Sequence, residues 1–252
     1  MNYQIVYSLS SHTGRIRKTN QDNYYCAGLS YKPVQSAASS VSAGQVSGTD
    51  APCFCVFDGL GGEECGDTAA YLASITADKL LKGKIQSENL YRFCQEANLR
   101  ICQYARKHNV RRMGTTAAIL SFSEEMVLLC NIGDSRIYRS DGSVLQQLSR
   151  DHVLWFQDSK GPLTQALGTS SEEIGLAPYI ARGKPVIGEK YLLCTDGLTD
   201  FVPDTEIQRL FAAYPTDKLA GQLSAAALRA GGGDNITAIV CEVTKDNQEK
   251  EG

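Results

Sequence analysis

The sequence predicts an α+β fold built on antiparallel sheets, and two observations carry this prediction. Several strand-like segments are separated only by short turn sequences, such as Ser123-Glu124-Glu125 and Asp141-Gly142. These connections are too short for the crossover helices that parallel strands require, so the neighbouring strands are expected to form hairpins. The helical segments, by contrast, cluster in two pairs, as in layered folds whose helices are segregated from the sheets.

Strands are predicted wherever apolar residues run together or alternate with polar ones. The predicted strands cover residues 4–9, 53–57, 115–122, 126–132, 136–139, 190–194 and 236–243. Helices are predicted over residues 66–81, 87–104, 204–213 and 216–230. In the second helix Leu90, Phe93 and Ala97 recur at steps of three and four residues, which is typical of one buried face. Ser87 is the predicted N-cap of this helix.

A single domain is predicted over residues 1–244. The chain of 252 residues, 42% of them hydrophobic, suits one large core. Residues 31–52 are rich in Ser, Ala, Gly and Val without a clear period, and they are expected to form a flexible surface insertion. This insertion is either a tolerated loop or a regulatory, partner-binding one. Residues 245–252 form a charged tail that is expected to fray.

Composition disfavours several classes of function. A formal net charge of −3 lacks the positive field that nucleic acids select, so nucleic acid is not expected as a partner. The longest apolar runs fall far short of the ~20 residues of a membrane-spanning helix. The first residues lack the pattern of a signal peptide. Nine cysteines without a Cys-x-x-Cys pair indicate reduced thiols and a cytoplasmic protein, and Cys53 and Cys55 are expected to point to opposite faces of their strand.

Acidic residues recur at the ends of the predicted strands. Asp58 and Asp196 each follow an apolar strand and precede a glycine. Asp134 and Asp234 lie at comparable junctions that contain glycine, and Asp22 precedes an aromatic strand start. Carboxylates that share a small space raise one another's pKa, and a divalent cation with a preference for oxygen ligands, Mg²⁺ or Mn²⁺, relieves this repulsion. The alternative is that each Asp-Gly pair merely marks a tight turn.

Taken in order along the chain, these segments resemble the metal-dependent protein phosphatases of the type-2C (PPM) family, in its bacterial branch. The matching segments are Arg17-Lys18-Thr19-Asn20-Gln21-Asp22, Phe57-Asp58-Gly59-Leu60-Gly61-Gly62, Gly114-Thr115-Thr116, Gly133-Asp134-Ser135-Arg136, Leu163-Thr164-Gln165-Ala166-Leu167-Gly168, Thr195-Asp196-Gly197-Leu198-Thr199-Asp200 and Asp234-Asn235-Ile236-Thr237. Each motif is weak alone, but the complete ordered series is specific. The resemblance implies a four-layer α-β-β-α sandwich with two central antiparallel sheets and a metal site at one end of them.

The resemblance also implies a set of metal ligands. Asp58 would bridge two Mn²⁺ or Mg²⁺ ions, and the carbonyl of Gly59 would ligate the second of them. Asp196 and Asp234 would hold the first ion. Asp134 matches a residue of a third, weaker metal site in bacterial relatives.

Further residues match the family's substrate and supporting groups. Arg17 matches the arginine that grips the substrate phosphate, Asp22 would orient metal-bound water, and Asn235 would support the site from beside Asp234. The implied reaction is direct attack of a metal-bridging water or hydroxide on phosphorus, without a covalent phosphoenzyme. Gln21 replaces a glutamate found in many relatives, which removes one negative charge near the second metal.

Two further departures from the family pattern leave alternatives open. Leu60 stands where many eukaryotic relatives carry a histidine, the proposed general acid for the leaving group. The proton would then come from a water at the third metal site or from His12. Residues 153–162 form only a short link where bacterial relatives carry a longer mobile flap, and Trp155 and Phe156 in this link either contact substrate or pack locally.

The implied function is that of a cytoplasmic, Mn²⁺- or Mg²⁺-dependent phosphatase that acts on phosphoserine and phosphothreonine in proteins, opposite a cognate serine/threonine kinase. A monomer is expected. Phosphotyrosine or a small phosphoester stays open as a substrate, because an open two-metal site need not select one side chain. The alternative of a different class is a catalytically weak signalling or binding module with the same fold, and the presence of Asp58, Asp196 and Asp234 argues against it.

Overall fold

Two antiparallel β-sheets lie at the centre of the fold. The computed structural model describes residues 2–28, 39–61, 65–157, 159–169 and 175–246. Within these residues the larger sheet contains, in spatial order, β10 (Leu145–Gln147), β9 (Arg136–Ser140), β14 (Lys190–Cys194), β15 (Ile236–Lys245), β1 (Tyr3–His12) and β3 (Ser40–Ser47). The smaller sheet contains β13 (Tyr179–Gly183), β8 (Val127–Ile132), β7 (Ala117–Phe122), β4 (Cys53–Phe57) and β2 (Asn23–Cys26). Neighbouring strands are antiparallel throughout, as the short turns predict.

Two short strand pairs lie outside these sheets. In one of them, β5 (Gly59–Leu60) pairs with β6 (Gly114–Thr115). In the other, β11 (Val153–Phe156) pairs with β12 (Ser159–Leu163). The segment that the sequence presents as a short link is therefore a β-hairpin, which we call the β11–β12 hairpin.

Helices pack on the outer faces of both sheets. The described helices are α1 (Gly66–Leu80), α2 (Ser87–Lys107), α3 (Asp196–Thr199), α4 (Asp204–Ala213) and α5 (Thr216–Arg229). The four longer ones confirm the predicted helices. The N-cap of α2 is Gln86 and not Ser87, since the backbone N–H of Gln86 donates to Oδ1 of Asn89 at 2.9 Å and Ser87 is already helical. None of the helices in the described ranges is long and apolar enough to cross a membrane.

Three layers of apolar side chains hold the sheets and helices together. The middle layer lies between the two sheets and includes the fully buried Ile5, Phe54 and Ile239. A second layer fills the space between the smaller sheet and helices α1 and α2, where the rings of Phe57 and Phe93 lie 6.2 Å apart. The third lies between the larger sheet and helices α4 and α5. This order of layers confirms the predicted α-β-β-α sandwich.

The prediction of a flexible insertion over residues 31–52 is wrong for its second half. Ser40–Ser47 forms strand β3 at the edge of the larger sheet, where it pairs with β1 along all eight of its residues. Most of its side chains are small and none is buried, so the strand has no apolar face that a sequence pattern would reveal. Residues 31–38 and 247–252 lie outside the described residues, and β15 extends into the predicted tail as far as Lys245.

No disulfide joins any of the nine cysteines, all of which belong to the described residues. The Sγ atoms of Cys53 and Cys55 lie 3.8 Å apart, and both belong to the layer beneath α1 and α2. The expectation that they point to opposite faces of their strand is therefore wrong. Residues two positions apart on a strand share a face, and only consecutive residues alternate.

Candidate active site

Five acidic residues converge at one end of the two sheets. Asp58 follows β4 directly, and Asp22 directly precedes its neighbour β2. Asp196 follows β14, Asp234 precedes the adjacent β15, and Asp134 lies in the turn between β8 and β9. Because adjacent antiparallel strands run in opposite directions, the end of one lies beside the start of the next. A cleft of about 640 Å³ opens at this edge, lined by Asp58, Asp196 and Asp234 among others.

The glycines that follow two of these acids permit a close approach of main chain. A Cβ on Gly59 would lie 2.2 Å from the carbonyl oxygen of Gly66, and a Cβ on Gly197 would lie 1.9 Å from that of Asn235. Neither Gly59 nor Gly197 has a positive φ. The two Asp-Gly pairs therefore do not mark left-handed turns. Instead, the missing side chain lets a second loop pass directly beside each acid.

Burial and mutual repulsion of the acids both act on Asp58 in the cleft. The pKa of Asp58 is raised well above its usual range, first by burial and then by the negative charges of Asp196, Asp22, Asp134 and Asp234. An anion in this position is costly unless a cation compensates it. The atoms that could bind a metal ion here are carboxylate and carbonyl oxygens. Mg²⁺ and Mn²⁺ favour such hard oxygen ligands, so the residues present fit these ions chemically.

Cations of the chain itself balance part of this charge. Nη2 of Arg17 lies 2.7 Å from Oδ2 of Asp234. Nζ of Lys160 lies 2.8 Å from Oδ2 of Asp134 and 2.9 Å from Oδ2 of Asp196. In the described ranges, no three carboxylate, imidazole or thiol groups lie close enough together to hold one metal ion. A divalent ion at Asp134, Asp196 or Asp234 would compete with these ammonium and guanidinium groups for carboxylate oxygens.

Lys160 is the site residue that the sequence analysis misses. It lies on β12, and its Nζ also approaches Oδ1 of Asp200 at 3.3 Å. Burial alone would lower the pKa of Lys160, but the charges of Asp196 and Asp134 hold it above its usual value, so the ammonium group stays protonated. No motif surrounds this lysine in the sequence. Only the fold of the β11–β12 hairpin brings it to the cleft.

The tip of the same hairpin is largely solvent-exposed. Trp155 and Phe156 are each 58% exposed, so local packing accounts for less than half of either side chain. The ring of Phe156 lies over Gly161 on the opposite strand, where a Cβ would come within 2.6 Å of it. The hairpin thus presents aromatic surface beside the acidic cleft.

Asp22 is buried beneath the cleft in a hydroxyl network. Its Oδ2 accepts hydrogen bonds from Oγ1 of Thr195 at 2.9 Å and from Oγ1 of Thr237 at 2.7 Å. Oγ1 of Thr237 also lies 3.0 Å from Oγ of Ser11. Such donors stabilise a carboxylate that is removed from water. The two threonines are present in the matched motifs, but the sequence alone gives them no role in the site.

Asn235 fixes the loop that carries Arg17. Its Oδ1 accepts the backbone N–H of Gln21 at 2.7 Å, and its Nδ2 donates to the carbonyls of Thr13 and Thr19 at 2.7 and 2.9 Å. The Arg17 side chain, 54% exposed, lines the cleft, as does Gln21. An ion pair this exposed contributes at most about 1 kcal/mol, so an incoming anion can replace it.

The two candidate proton sources for a leaving group differ in position. Leu60 lines the cleft and has no proton to donate. Nδ1 of His12 accepts the backbone N–H of Gly14 at 2.8 Å, and the described residues that line the cleft do not include His12. His12 is thus outside the described cleft lining, whereas Lys160 links Asp134 to Asp196 through its ammonium group.

Known proteins share this sequence pattern and fold. A family model described as protein phosphatase 2C matches residues 41–230. The chain is similar to the serine/threonine phosphatase stp of Listeria monocytogenes, with 31% identity over 212 residues that cover 76% of this chain and 84% of that protein. Among solved structures it is similar to PppA of Pseudomonas aeruginosa, described as a key regulatory component of T6SS, with 26% identity, a TM-score of 0.77 and coverage of 96% and 100%. It is also similar to the catalytic domain of the phosphatase PstP in complex with two manganese ions, with 24% identity, a TM-score of 0.76 and the same coverage.

Proposed function

Because this chain belongs to the protein phosphatase 2C family, we propose that it is a metal-dependent phosphatase acting on phosphoserine and phosphothreonine in proteins. One observation carries the proposal beyond family membership. Five carboxylates from separate loops gather at one end of the sheets. Three of them, Asp58, Asp196 and Asp234, line one cleft, and Arg17 lines the same cleft. Anionic ligands for hard cations and a cationic group for a phosphate are the two parts that phosphoester hydrolysis needs.

The proposed metal ligands are those that the sequence predicts. Asp58 and the carbonyl of Gly59 would hold the second ion. Asp58, Asp196 and Asp234 would hold the first ion. Asp134 would hold a third ion that binds more weakly. When bound, Mn²⁺ or Mg²⁺ held by these residues would lower the pKa of water and offset negative charge on the phosphate oxygens. The pKa of Asp58, raised by burial and by the neighbouring acids, supports this assignment, since a nearby dication would favour the charged carboxylate.

Asp22 is proposed to orient the attacking water. Two threonine hydroxyls hold one of its carboxylate oxygens, so the direction of the carboxylate is fixed before substrate binds. Preorganised acceptors of this kind cost little reorganisation during the reaction.

Arg17 is proposed to bind the substrate phosphate. Its planar guanidinium can donate two parallel hydrogen bonds to phosphate oxygens. In the structure it donates to Asp234, so substrate would replace one anionic partner with another. The hydrogen bonds of Asn235 to the loop limit how far Arg17 can move.

The proton for the leaving group is proposed to come from solvent held near Asp134. Leu60 cannot supply it, and His12 lies outside the cleft lining among the described residues. Asp134 is 6% exposed and lies against the same Lys160 as Asp196, which places it close to the proposed reaction centre.

The proposal extends to partners and location. The substrates are phosphoproteins, among them the products of a cognate serine/threonine kinase, and the protein acts as a monomer in the cytoplasm. Nine cysteines without a disulfide between them support a reducing compartment. The open cleft leaves phosphotyrosine as a second substrate class that a direct assay can compare.

One observation favours a second candidate, a signalling module with weak catalysis. Lys160 and Arg17 already pair with three of the proposed metal ligands. If these pairs outcompete divalent ions, the fold would persist without turnover. Metal-dependent activity separates the two candidates.

The test is the rate of phosphate release from a phosphothreonine peptide by the metal-stripped protein, with and without Mn²⁺. We expect turnover only with metal, and loss of turnover in Asp58→Asn. Asp78→Asn is the matched control, because Asp78 pairs with Lys82 on the exposed side of α1. Absence of Mn²⁺-stimulated turnover in the wild type, whether or not calorimetry shows bound metal, would favour the signalling module.

A further inference from the structure

The β11–β12 hairpin places a lysine ammonium group among three carboxylates. Nζ of Lys160 lies 2.8 Å from Asp134, 2.9 Å from Asp196 and 3.3 Å from Asp200. These acids come from the β8–β9 turn and from α3, so one side chain joins the hairpin to loops of both central sheets. Only 26% of the lysine side chain is exposed, and water therefore screens these contacts less than at an open surface.

A divalent ion and this ammonium group cannot both lie beside the carboxylates of Asp134 and Asp196. An ion held by Asp134 and Asp196 would have to lie about 2.0–2.2 Å from their oxygens. The ammonium already lies within hydrogen-bond distance of the same two Oδ2 atoms. Two cations so close to one another repel strongly in a partly buried site.

We propose that Lys160 is a built-in competitor of the third metal ion, so that the ammonium group and the ion occupy the position beside Asp134 and Asp196 alternately. The inference rests on the proposed function in placing a third ion at Asp134. Lys160 is thus a positioning residue, which orients the two carboxylates when the third ion is absent.

Exchange of the two cations would also change the position of the hairpin. Strands β11 and β12 pair only with each other in the described structure and join neither central sheet. Leu154, Trp155 and Phe156 are each about half exposed, so few apolar contacts hold the tip. Once the third ion displaces Lys160, the hairpin loses its ion pairs to the cleft. Binding of this ion would therefore release aromatic surface beside the place where substrate binds.

The first test measures the affinity of the third ion directly. Calorimetric titration with Mn²⁺ compares the wild type with Lys160→Met, and Lys160→Arg is the matched control that keeps the positive charge. We expect the weakest of the bound ions to bind about tenfold more tightly in Lys160→Met, because it no longer displaces an ion pair, and to be unchanged in Lys160→Arg. Asp134→Asn should abolish this ion in either background. Equal third-ion affinity in the wild type and Lys160→Met, or no third ion in either, overturns the proposal.

The second test uses the only tryptophan of the chain, Trp155, as a reporter on the hairpin. Mg²⁺ is the titrant, since it does not quench fluorescence as a paramagnetic ion does. We expect the Trp155 emission of the wild type to change over the Mg²⁺ concentrations at which the third ion binds. Lys160→Met should already show the emission of the released hairpin before Mg²⁺ is added. Identical titration curves for the two proteins would contradict release of the hairpin.

Neither readout depends on catalysis. If Lys160 competes with a third ion but the protein shows no turnover, the inference holds and the proposed function is wrong. If the protein turns over substrate but Lys160 does not compete with an ion, the proposed function holds and the inference is wrong. Lys160→Gln serves as a second variant in case the methionine perturbs folding.

Discussion

At the scale of single residues, the site depends on a balance of opposite charges. Burial and then the charges of the neighbouring acids raise the pKa of Asp58, while Arg17 and Lys160 each neutralise part of the excess negative charge. The sequence predicts the acids, because each follows or opens a strand and belongs to a recognisable motif. It does not predict Lys160, Thr195 or Thr237, because their partners are distant in the chain and meet only after folding.

Arg17 gives the first prediction. Arg17→Ala removes the charged donors for phosphate. The net loss of one charge-assisted hydrogen bond, about 1.5–3 kcal/mol, should lower kcat/KM about 10- to 100-fold. Arg17→Lys should recover part of the loss, because it keeps the charge without the planar fork. Initial rates over a range of peptide concentrations separate kcat from KM. Arg15→Ala is the control on the same loop, outside the cleft lining; an equal loss there would point to a general effect of loop charge.

The second prediction concerns pH. Because the folded-state pKa of Asp58 is raised, the folded protein keeps this proton at pH values at which the unfolded chain has lost it. Its contribution to stability is complete below the ordinary aspartate pKa, ~3.9, and is lost as pH rises through the folded-state value. The metal-free protein should therefore become less stable from mildly acidic to neutral pH, and Asp58→Asn should flatten this trend. Urea unfolding at a series of pH values measures it; parallel curves for the two proteins would refute the assignment.

At the scale of helices and strands, the sequence predicts the long helices and central strands that have a buried face, and it misses strands whose side chains are largely exposed. The long helices and the central strands are recovered, since a buried face imposes a period on the apolar residues. Strand β3 has small exposed side chains and forms through main-chain pairing with β1. The β11–β12 hairpin has aromatic residues that face solvent, so its pattern does not resemble that of a core strand.

The next prediction compares a glycine that another loop crowds with a glycine that has open space around it. Gly197→Ala, in α3, places a Cβ against the carbonyl of Asn235, and it should lower the free energy of unfolding by about 1–3 kcal/mol. Gly221→Ala, in the middle of α5, meets nothing within 4 Å and should raise it by about 0.5–1 kcal/mol. Urea denaturation of the metal-free proteins compares them. Equal stability of the two variants would show that the close approach at Gly197 is relaxed in solution.

At the scale of the whole molecule, the site lies across the sandwich. Asp22 and Asp58 adjoin the smaller sheet, whereas Asp196 and Asp234 adjoin the larger one. Ligands from both sheets can meet only when the apolar layer between the sheets is packed. Metal binding and folding are therefore coupled, because an ion that binds only the folded state stabilises it.

This coupling predicts that Mn²⁺ raises the free energy of unfolding of the wild type, by about 2.7 kcal/mol at a hundred times the dissociation constant. Asp58→Asn should lose most of this gain, and Asp78→Asn should keep it. Thermal unfolding with and without Mn²⁺ provides the comparison. A gain of the same size in Asp58→Asn would place the bound metal elsewhere.

The most direct measurement of the central claim, that the acidic cleft is a metal centre, is calorimetric titration of the metal-stripped wild type and Asp58→Asn with Mn²⁺. The account predicts at least two bound ions in the wild type and loss of both of the tighter ones in the variant, because Asp58 is assigned to each. An unchanged number of ions and unchanged affinities in Asp58→Asn would contradict it.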